Sequence, residues 1–83
     1  MAARVKVLYF AGARDAAGMP KESFELAGPT TASELLAEVA RRHPRLAPLL
    51  RSLRVSVNLE VVAPEARLSD GDEVGILPPV AGG

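Results

Sequence analysis

The chain has 83 residues, of which 48% are hydrophobic, and its ten Lys and Arg residues balance ten Asp and Glu residues. A chain of this length is predicted to form one small domain, and zero net charge does not favour non-specific binding to nucleic acid. It has no cysteine, which excludes disulfides, thiolate metal sites and cysteine nucleophiles on the chain itself, and we predict no metal site. Because no apolar run approaches the roughly 18 residues of a membrane span and no signal peptide is evident, we expect a soluble cytoplasmic protein without a membrane partner.

The first predicted element is a strand over residues 5–11. Its odd-numbered residues from Val5 to Tyr9 share one face, and its even-numbered residues from Lys6 to Phe10 share the other. Both faces are largely apolar, but the chain offers one convincing long helix to cover them. We therefore predict that Phe10 lies in an exposed apolar patch of the kind that binds a partner.

A loop and a second strand follow. Residues 12–20 are predicted to form a loop with room for one helical turn. Residues 22–26 alternate, with Phe24 and Leu26 on the inner face, and form a strand antiparallel to the first. A turn over residues 27–29 then leads into a helix.

A helix is predicted to begin after Thr31. Thr31 and Glu34 have the spacing of a capping box, in which each side chain satisfies a backbone N–H near the other. Pro44 ends the helix, and His43, the only histidine, is predicted to be a surface residue at its C-terminus. A catalytic role for His43 is not favoured, because no carboxylate, serine or thiol nearby in sequence completes a recognisable constellation. The apolar stripe of the helix consists of Ala32, Leu35, Leu36, Val39 and Ala40.

The second half of the chain is predicted to contain short strands separated by turns. A second, looser helical segment is predicted over residues 44–53, where leucines recur at helical spacing. Asp70-Gly71 is a predicted turn, because glycine adopts positive φ without steric cost. Strands are predicted over residues 54–59, within residues 58–62 and over residues 73–77.

This order of elements predicts an α+β fold of two layers, with a mixed sheet of four to five strands and one main helix across one face. Val74 and Ile76 share one face of the last strand. Placing the first and last strands side by side and parallel at the centre gives the β-grasp arrangement, and the helical connection is long enough for the crossover. Residues 1–77 are predicted to form this domain.

The sequence ends in an uncharged segment over residues 78–83, which we predict to be a flexible tail with a free carboxylate on glycine. Pro78 and Pro79 cannot donate to a β ladder and therefore end the last strand. Because glycine has no Cβ, a Gly82-Gly83 end can enter a narrow channel and present its carboxylate to the active site of another protein. A frayed terminus without a function is the alternative.

Charge is distributed unevenly along the sequence. Arginines are concentrated in residues 41–54, whereas residues 60–73 are acidic, with only Arg67 opposing them. Such blocks are usually solvated surface. The functional alternative is that the acidic flank steers the tail toward a basic partner.

Three segments together carry a resemblance to a known family. They are Val-Lys-Val-Leu-Tyr-Phe-Ala at 5–11 with Arg14 and Gly18, Asp-Gly-Asp-Glu-Val at 70–74, and Pro-Pro-Val-Ala-Gly-Gly at 78–83. In these segments the chain resembles the small subunit of molybdopterin synthase, the MoaD-type ubiquitin-like sulfur carrier. The resemblance covers the whole chain in length and element order, although residues 21–68 match in pattern only.

The resemblance implies a mechanism. In that family the C-terminal carboxylate is adenylated with ATP by an E1-like activating enzyme and is then converted to a thiocarboxylate by a sulfur donor protein. By this resemblance, Gly83 carries the reacting group, Gly82 gives it access, and the synthase large subunit, in a heterotetramer, receives the tail and directs its sulfur to cyclic pyranopterin monophosphate. No cofactor is expected on this chain, since the activating enzyme consumes the ATP. The chain is then a cosubstrate that turns over nothing alone.

A surface for these partners is predicted beside the start of the tail. Phe10, Val61 and Leu77 fall on strand faces directed away from the helix if the alternation holds, and they can form one apolar patch. The alternative is that one or more of them belongs to the core. The full set of predicted partner-binding residues is Phe10, Val61, Leu77, Pro78, Pro79, Val80 and Ala81.

Two other functions remain open from the sequence. One is sulfur carriage in a different pathway, for thiamin thiazole or cysteine synthesis, although residues 8–11 and the Pro78-Pro79 pair favour the molybdenum cofactor. The other is a ubiquitin-like modifier conjugated to lysines, or an interaction module that uses the fold without its tail. An iron–sulfur electron carrier is excluded, because its cluster needs cysteines.

Overall fold

The structure is a computed structural model that describes residues 3–78 and leaves residues 1–2 and 79–83 outside the described part. It contains five strands, two α-helices and one 3₁₀ helix. In chain order these are β1 (Ala3–Tyr9), α1 (Ala11–Ala17), β2 (Lys21–Leu26), α2 (Ala32–Arg42), the 3₁₀ helix (Pro44–Ser52), β3 (Arg54–Val57), β4 (Glu60–Val61) and β5 (Glu73–Leu77).

The five strands form one mixed sheet in the order β2-β1-β5-β3-β4. β1 and β5 are parallel neighbours at its centre, and the other pairs are antiparallel. The parallel pair requires a crossover, which the chain makes through α2 and the 3₁₀ helix. The predicted α+β, β-grasp fold is confirmed, including the central position of the first and last strands.

One face of the sheet forms the core with α2. Val5, Val7 and Tyr9 of β1 are buried, as their alternation predicts. Val74 and Ile76 of β5 are fully buried on the same face. Burying each large aliphatic side chain contributes about 1.5–3 kcal/mol. The other large members of this core include Phe24, Leu26, Leu35, Val39 and Leu46.

Helix α2 begins as its capping box predicts. The backbone N–H of Glu34 donates to Thr31 Oγ1 at 3.2 Å, and the N–H of Thr31 donates to Glu34 Oε1 at 2.9 Å. A cap of this kind is worth about 1 kcal/mol. At the other end, the N–H of His43 donates to the Val39 carbonyl at 2.8 Å, and Pro44 then begins the 3₁₀ helix.

The predicted extent of the first strand is wrong, because the strand ends at Tyr9 and not at residue 11. Ala11 adopts φ 48°, a left-handed conformation that turns the chain out of the sheet. Phe10 therefore caps helix α1 and is not a strand residue. Its N–H still donates to the Ile76 carbonyl at 3.2 Å, which keeps Phe10 beside β5.

Helix α1 is more regular than the single turn that the sequence indicated. It buries Ala13 and Ala17 against the core. It ends at Gly18, whose φ of 77° is the left-handed C-cap that glycine adopts without strain, and whose N–H donates to the Arg14 carbonyl at 2.9 Å.

The third strand is also shorter than predicted, because β3 ends at Val57. Asn58 and Leu59 have φ values of 50° and 75° and form a two-residue hairpin turn into β4. Positive φ at both central residues is the geometry that matches the twist of the flanking strands. The predicted turn at Asp70-Gly71 is present, with Gly71 at φ 87°.

Candidate functional site

The face of the sheet opposite α2 carries a row of residues that are paired across four strands. Leu8 of β1 pairs with Gly75 of β5, Gly75 pairs with Ser56 of β3, and Ser56 pairs with Val61 of β4. Since side chains alternate along a strand, this row points away from the buried Val74 and Ile76. The row therefore lies on the open face of the sheet.

Gly75 leaves room on this face for the ring of Phe10. A Cβ at Gly75 would lie 3.1 Å from Phe10 Cε2 and would clash with Ser56 Oγ. Gly75 is buried although it faces away from the core, because the aromatic ring and the hydroxyl cover it. A glycine inside a strand often marks such a close approach. Phe10 thus reaches the open face from the cap of α1.

We define the open-face patch as Leu8, Phe10, Val61 and Leu77, the apolar residues that lie on the same face as Gly75. Leu77 lies two residues beyond Gly75 in β5 and therefore shares its face. Phe10 is 43% exposed and Val61 is 60% exposed, while Leu8 and Leu77 are half-buried. The strand register thus places Val61 and Leu77 on the face opposite α2, and Phe10 reaches that face from the cap of α1, although Val61 also borders a cavity lined by Leu36 and Leu50.

The open-face patch reaches the end of β5 through Leu77. Pro78 follows Leu77 directly and is half-buried. The predicted contact residues Pro79, Val80 and Ala81 and the predicted reacting residues Gly82 and Gly83 lie outside the described residues.

Charged side chains border the open-face patch. Arg54 pairs with Leu77 across β3 and β5, so it shares the open face at the end of β5. Lys6 pairs with Glu73 across β1 and β5 at the other end of that strand. Within residues 3–78, no carboxylate lies within 4.0 Å of the Arg54 guanidinium. Arg54 is therefore free to pair with an acidic group on a partner as far as the described chain is concerned.

The β3–β4 hairpin is fastened to the start of β5 through Asn58. Its amide Nδ2 donates to Asp72 Oδ1 at 3.1 Å, and its Oδ1 accepts from the Glu73 N–H at 3.0 Å. The N–H of Asn58 donates to the Glu73 carbonyl at 2.8 Å, and Asp72 Oδ2 accepts from the Ser69 N–H at 2.7 Å. These hydrogen bonds fix the position of the hairpin relative to the patch.

A second cluster, centred on Glu22, lies on the core side of the sheet. Glu22 Oε2 accepts a hydrogen bond from Tyr9 Oη at 2.5 Å and contacts His43 Nε2, while Arg42 Nη1 lies 3.3 Å from Glu22 Oε1. Arg42 also stacks on Phe24, 4.2 Å from the ring centroid. Every polar atom of the Glu22 carboxylate thus has a partner.

The environment of this cluster changes the pKa values of its acids. Burial acts to raise the pKa of Glu22, but hydrogen bonds from Tyr9, His43 and Arg42 outweigh it, and the pKa lies below its usual range. Burial, together with the hydrogen bond to the Glu22 carboxylate, raises the pKa of the Tyr9 hydroxyl far above its usual value. The cluster therefore contains a carboxylate held ionised and a phenol held neutral.

Local sequence patterns do not indicate this cluster. The His43 side chain is only 11% exposed, so its assignment as a surface residue is wrong. Its partner Glu22 is 21 positions away in sequence, which local patterns do not reveal. The sequence signal for a buried Glu22 was the alternation along β2, which places Glu22 on the inner face with Phe24 and Leu26.

The comparisons with known proteins decide the family. The model of the ThiS family matches residues 7–83 of this chain. The chain belongs to the ThiS family. The matched region includes the open-face patch and extends through Gly82 and Gly83.

Curated relatives of this chain agree in name and in length. The molybdopterin synthase sulfur carrier subunit of Chlamydomonas reinhardtii is 40% identical, over 96% of this chain and 99% of its own length. The subunit of the same name from Mycobacterium tuberculosis is 35% identical, over 96% of this chain and 98% of its own length. The resemblance predicted from the two ends of the sequence is confirmed by these relatives.

Solved structures share the fold. A putative molybdopterin converting factor subunit 1 from Pyrococcus furiosus superposes with a TM-score of 0.85 at 32% identity, covering 94% of this chain and 99% of its own. The small archaeal modifier protein 1 of Methanosarcina acetivorans gives 0.83 at 29% identity, covering 100% and 99%. A chain from the complex of subunits 1 and 2 of the molybdopterin-converting factor of Helicobacter pylori gives 0.64 at 25% identity, covering 96% and 99%.

No group of three or more His, Cys, Asp or Glu side chains within residues 3–78 is placed to hold a metal ion. No helix in the same range has the length and apolar character needed to cross a membrane.

Proposed function

We propose that this chain is the sulfur carrier subunit of a molybdopterin synthase and that it carries sulfur as a thiocarboxylate on Gly83. The observation that carries the proposal is that the open-face patch extends to Leu77 at the end of β5, directly before the segment from Pro78 to Gly83. A partner that binds the patch is thereby positioned to receive the chain terminus. The full-length similarity to named sulfur carrier subunits supports the same function.

The chemistry begins with activation of the terminal carboxylate. A carboxylate is a poor electrophile, so one Gly83 oxygen first attacks the α-phosphorus of ATP, and pyrophosphate leaves. A hydrosulfide equivalent from the sulfur donor protein then attacks the acyl carbon, and AMP leaves as a good leaving group. The product is a thiocarboxylate. Because the chain has no cysteine, no side-chain thiol of its own can capture the transferred sulfur.

The proposed division of labour among partners is the one that the family resemblance implies. An E1-like activating enzyme binds the ATP, a separate donor supplies the sulfur, and this chain contributes only the carboxylate and its surroundings. The chain therefore needs no bound cofactor of its own. The Gly82-Gly83 end has no Cβ to obstruct entry into each partner's active site.

The large subunit of the synthase is the proposed acceptor. The Helicobacter pylori structure of subunits 1 and 2 in one complex supports a partner of this kind. An exposed apolar patch beside the terminus suits a protein interface, because its burial can hold the carrier while the tail reacts. Two carriers and two large subunits are proposed to form the heterotetramer.

A protein modifier is the second candidate function. The similarity to the small archaeal modifier protein 1 of Methanosarcina acetivorans favours it, because the fold is shared across nearly the whole length of both chains. Both functions begin with an adenylated terminal glycine, so the acceptor distinguishes them. A modifier forms an isopeptide bond with a lysine, whereas a carrier releases sulfur and regains its carboxylate. Sulfur delivery to a thiazole or cysteine pathway differs only in the acceptor enzyme.

The experiment is a transfer assay with purified components. The chain is charged with ATP, the activating enzyme and a sulfur donor, and is then mixed with the large subunit and cyclic pyranopterin monophosphate. We expect loss of the thiocarboxylate and formation of the dithiolene. A charged chain that keeps its sulfur in this mixture but gives it to a thiazole or cysteine enzyme, or forms lysine conjugates, contradicts the proposal.

A further inference from the structure

The tip of the β3–β4 hairpin holds a leucine in a conformation that leucine disfavours. The two-residue turn places Asn58 at φ 50° and Leu59 at φ 75°. Asparagine tolerates the left-handed region, and glycine adopts it without cost, but a leucine there brings its Cβ against the backbone. Glycine is the residue that this second turn position ordinarily favours.

The leucine gains nothing from the fold in return. Leu59 is 89% exposed, whereas the other exposed large apolar residues of the described chain are 60% exposed or less. A strained backbone lowers the stability of the isolated chain, and a side chain that stays in water gains no burial energy to offset that cost. A strained residue whose side chain gains no burial within the fold is best explained by a contact outside the chain.

The turn presents Leu59 at a fixed position. Asn58, its neighbour, is bonded through its amide group to Asp72 and Glu73 and through its N–H to the Glu73 carbonyl. Since these bonds fasten the turn to β5, the turn cannot easily relax to bury Leu59. The side chain is therefore preorganised to project from the hairpin.

Leu59 lies at the turn before Val61 of the open-face patch, and acidic residues lie beside that turn. Val61 of the patch lies two residues further along the chain and is itself 60% exposed. Glu60 is exposed between them, and Asp72 and Glu73 contact the same turn through Asn58. Lys6, paired with Glu73, is the basic residue that the strand register brings to this end of β5. A complementary surface is therefore an apolar pocket with a basic rim.

We propose that Leu59 is an anchor that inserts into an apolar, basic-rimmed pocket on the synthase large subunit; this inference rests on the proposed function. Glu73, beside the turn, and Leu77, beside the tail, are four residues apart in β5, which corresponds to about 13 Å. A partner that contacts both Leu59 at the turn and the chain beyond Leu77 must cover the open face between them. The large subunit is the favoured occupant, because a structural relative of this chain was solved in complex with subunit 2 of the molybdopterin-converting factor of Helicobacter pylori.

The test is Leu59→Gly, for which two effects of opposite sign are expected. The unfolding temperature should rise by about 4 °C, because glycine adopts the positive φ of residue 59 without the strain that leucine has there. The Kd for the purified large subunit, measured by calorimetry, should rise about tenfold or more, because a buried leucine side chain is lost. Leu59→Met keeps an apolar side chain at the tip and should bind close to wild type.

Leu49→Ala is the matched control, because Leu49 is also an exposed leucine, at 37%, but lies on the 3₁₀ helix. It should leave the Kd unchanged. A Leu59→Gly chain that binds the large subunit as tightly as wild type overturns the anchor, as does one that unfolds at a lower temperature. An equal loss of binding to the activating enzyme overturns the assignment to the large subunit. If the wild-type chain itself does not bind the large subunit, the proposed function fails before the anchor is tested.

Discussion

The ring of Phe10 occupies the space that a side chain at Gly75 would need, since a Cβ there would lie 3.1 Å from Phe10 Cε2. The two residues come from different elements, the cap of α1 and the central strand β5. Their contact covers the middle of the open face with an aromatic ring that is still 43% exposed. The glycine in the central strand thus shapes the patch that we propose as the partner surface.

Gly75→Ala is expected to damage both the fold and the patch. The added methyl group clashes with Ser56 Oγ and displaces the Phe10 ring, at a cost of about 1–3 kcal/mol. The unfolding temperature and the affinity for the large subunit should both decrease. Gly12→Ala is the control, because a Cβ at Gly12 has no heavy atom within 4 Å. Equal stability of the Gly75→Ala and wild-type chains would show that the ring is not held as described.

Phe10→Asp is expected to separate binding from folding. A carboxylate in place of the exposed ring should weaken binding to the large subunit by about tenfold or more, because a desolvated aromatic contact is replaced by a charge. The unfolding temperature should change little, since the ring is not part of the buried core. Leu49→Asp places the same charge on an exposed apolar residue away from the patch and should retain affinity. A large loss of stability in Phe10→Asp would assign Phe10 to the core.

Glu22 is expected to make the fold acid-sensitive. Its pKa is lowered in the folded chain, so its contribution to stability is present above its ordinary pKa of 4.5 and is lost as the pH falls through the lower folded value. Glu22→Gln should therefore be less stable than wild type at pH 7, by about 1–3 kcal/mol for the lost charged hydrogen bonds. Urea unfolding at a series of pH values should show this difference shrinking as the pH falls below 4.5. A difference independent of pH would contradict the described network.

Tyr9 provides a direct spectroscopic measure of the same cluster, because it is the only tyrosine in the chain. Its pKa is raised by burial and by its hydrogen bond to Glu22, so the folded chain should not form tyrosinate at pH 11. The unfolded chain should ionise near the ordinary value of 10.0. The contribution of Tyr9 to the stability of the fold is therefore fully present below pH 10.0 and decreases as the pH rises above that value. Ultraviolet absorbance of the folded chain that titrates near 10.0 would be the contrary result.

The sequence predicted most of the fold through patterns that depend on near neighbours. Alternation identified the buried residues of β1 and β5, and the Thr31–Glu34 spacing identified the start of α2. Strand ends were less predictable, because Ala11 and Leu59 adopt positive φ, which their residue types do not indicate. These left-handed residues turn the chain earlier than hydrophobic alternation suggests.

The candidate site was predictable in part for the same physical reason. Parity assigned Val61 and Leu77 to the open face correctly, and Phe10 reaches that face, although from a helix cap. The contact between Glu22 and His43 depends on tertiary packing of two distant segments, so local spacing could not reveal it. The roles of Gly82 and Gly83 remain predictions from the resemblance and the family match, since these residues lie outside the described part of the chain.

The most direct measurement is the intact mass of the chain after incubation with ATP, the activating enzyme and a sulfur donor. We predict a mass gain equal to the replacement of one oxygen atom by sulfur, located at Gly83 by fragmentation. A chain lacking Gly82 and Gly83, verified as folded by circular dichroism, should show no gain. An unchanged mass for the complete chain, or a gain that persists after the two glycines are removed, would contradict the account.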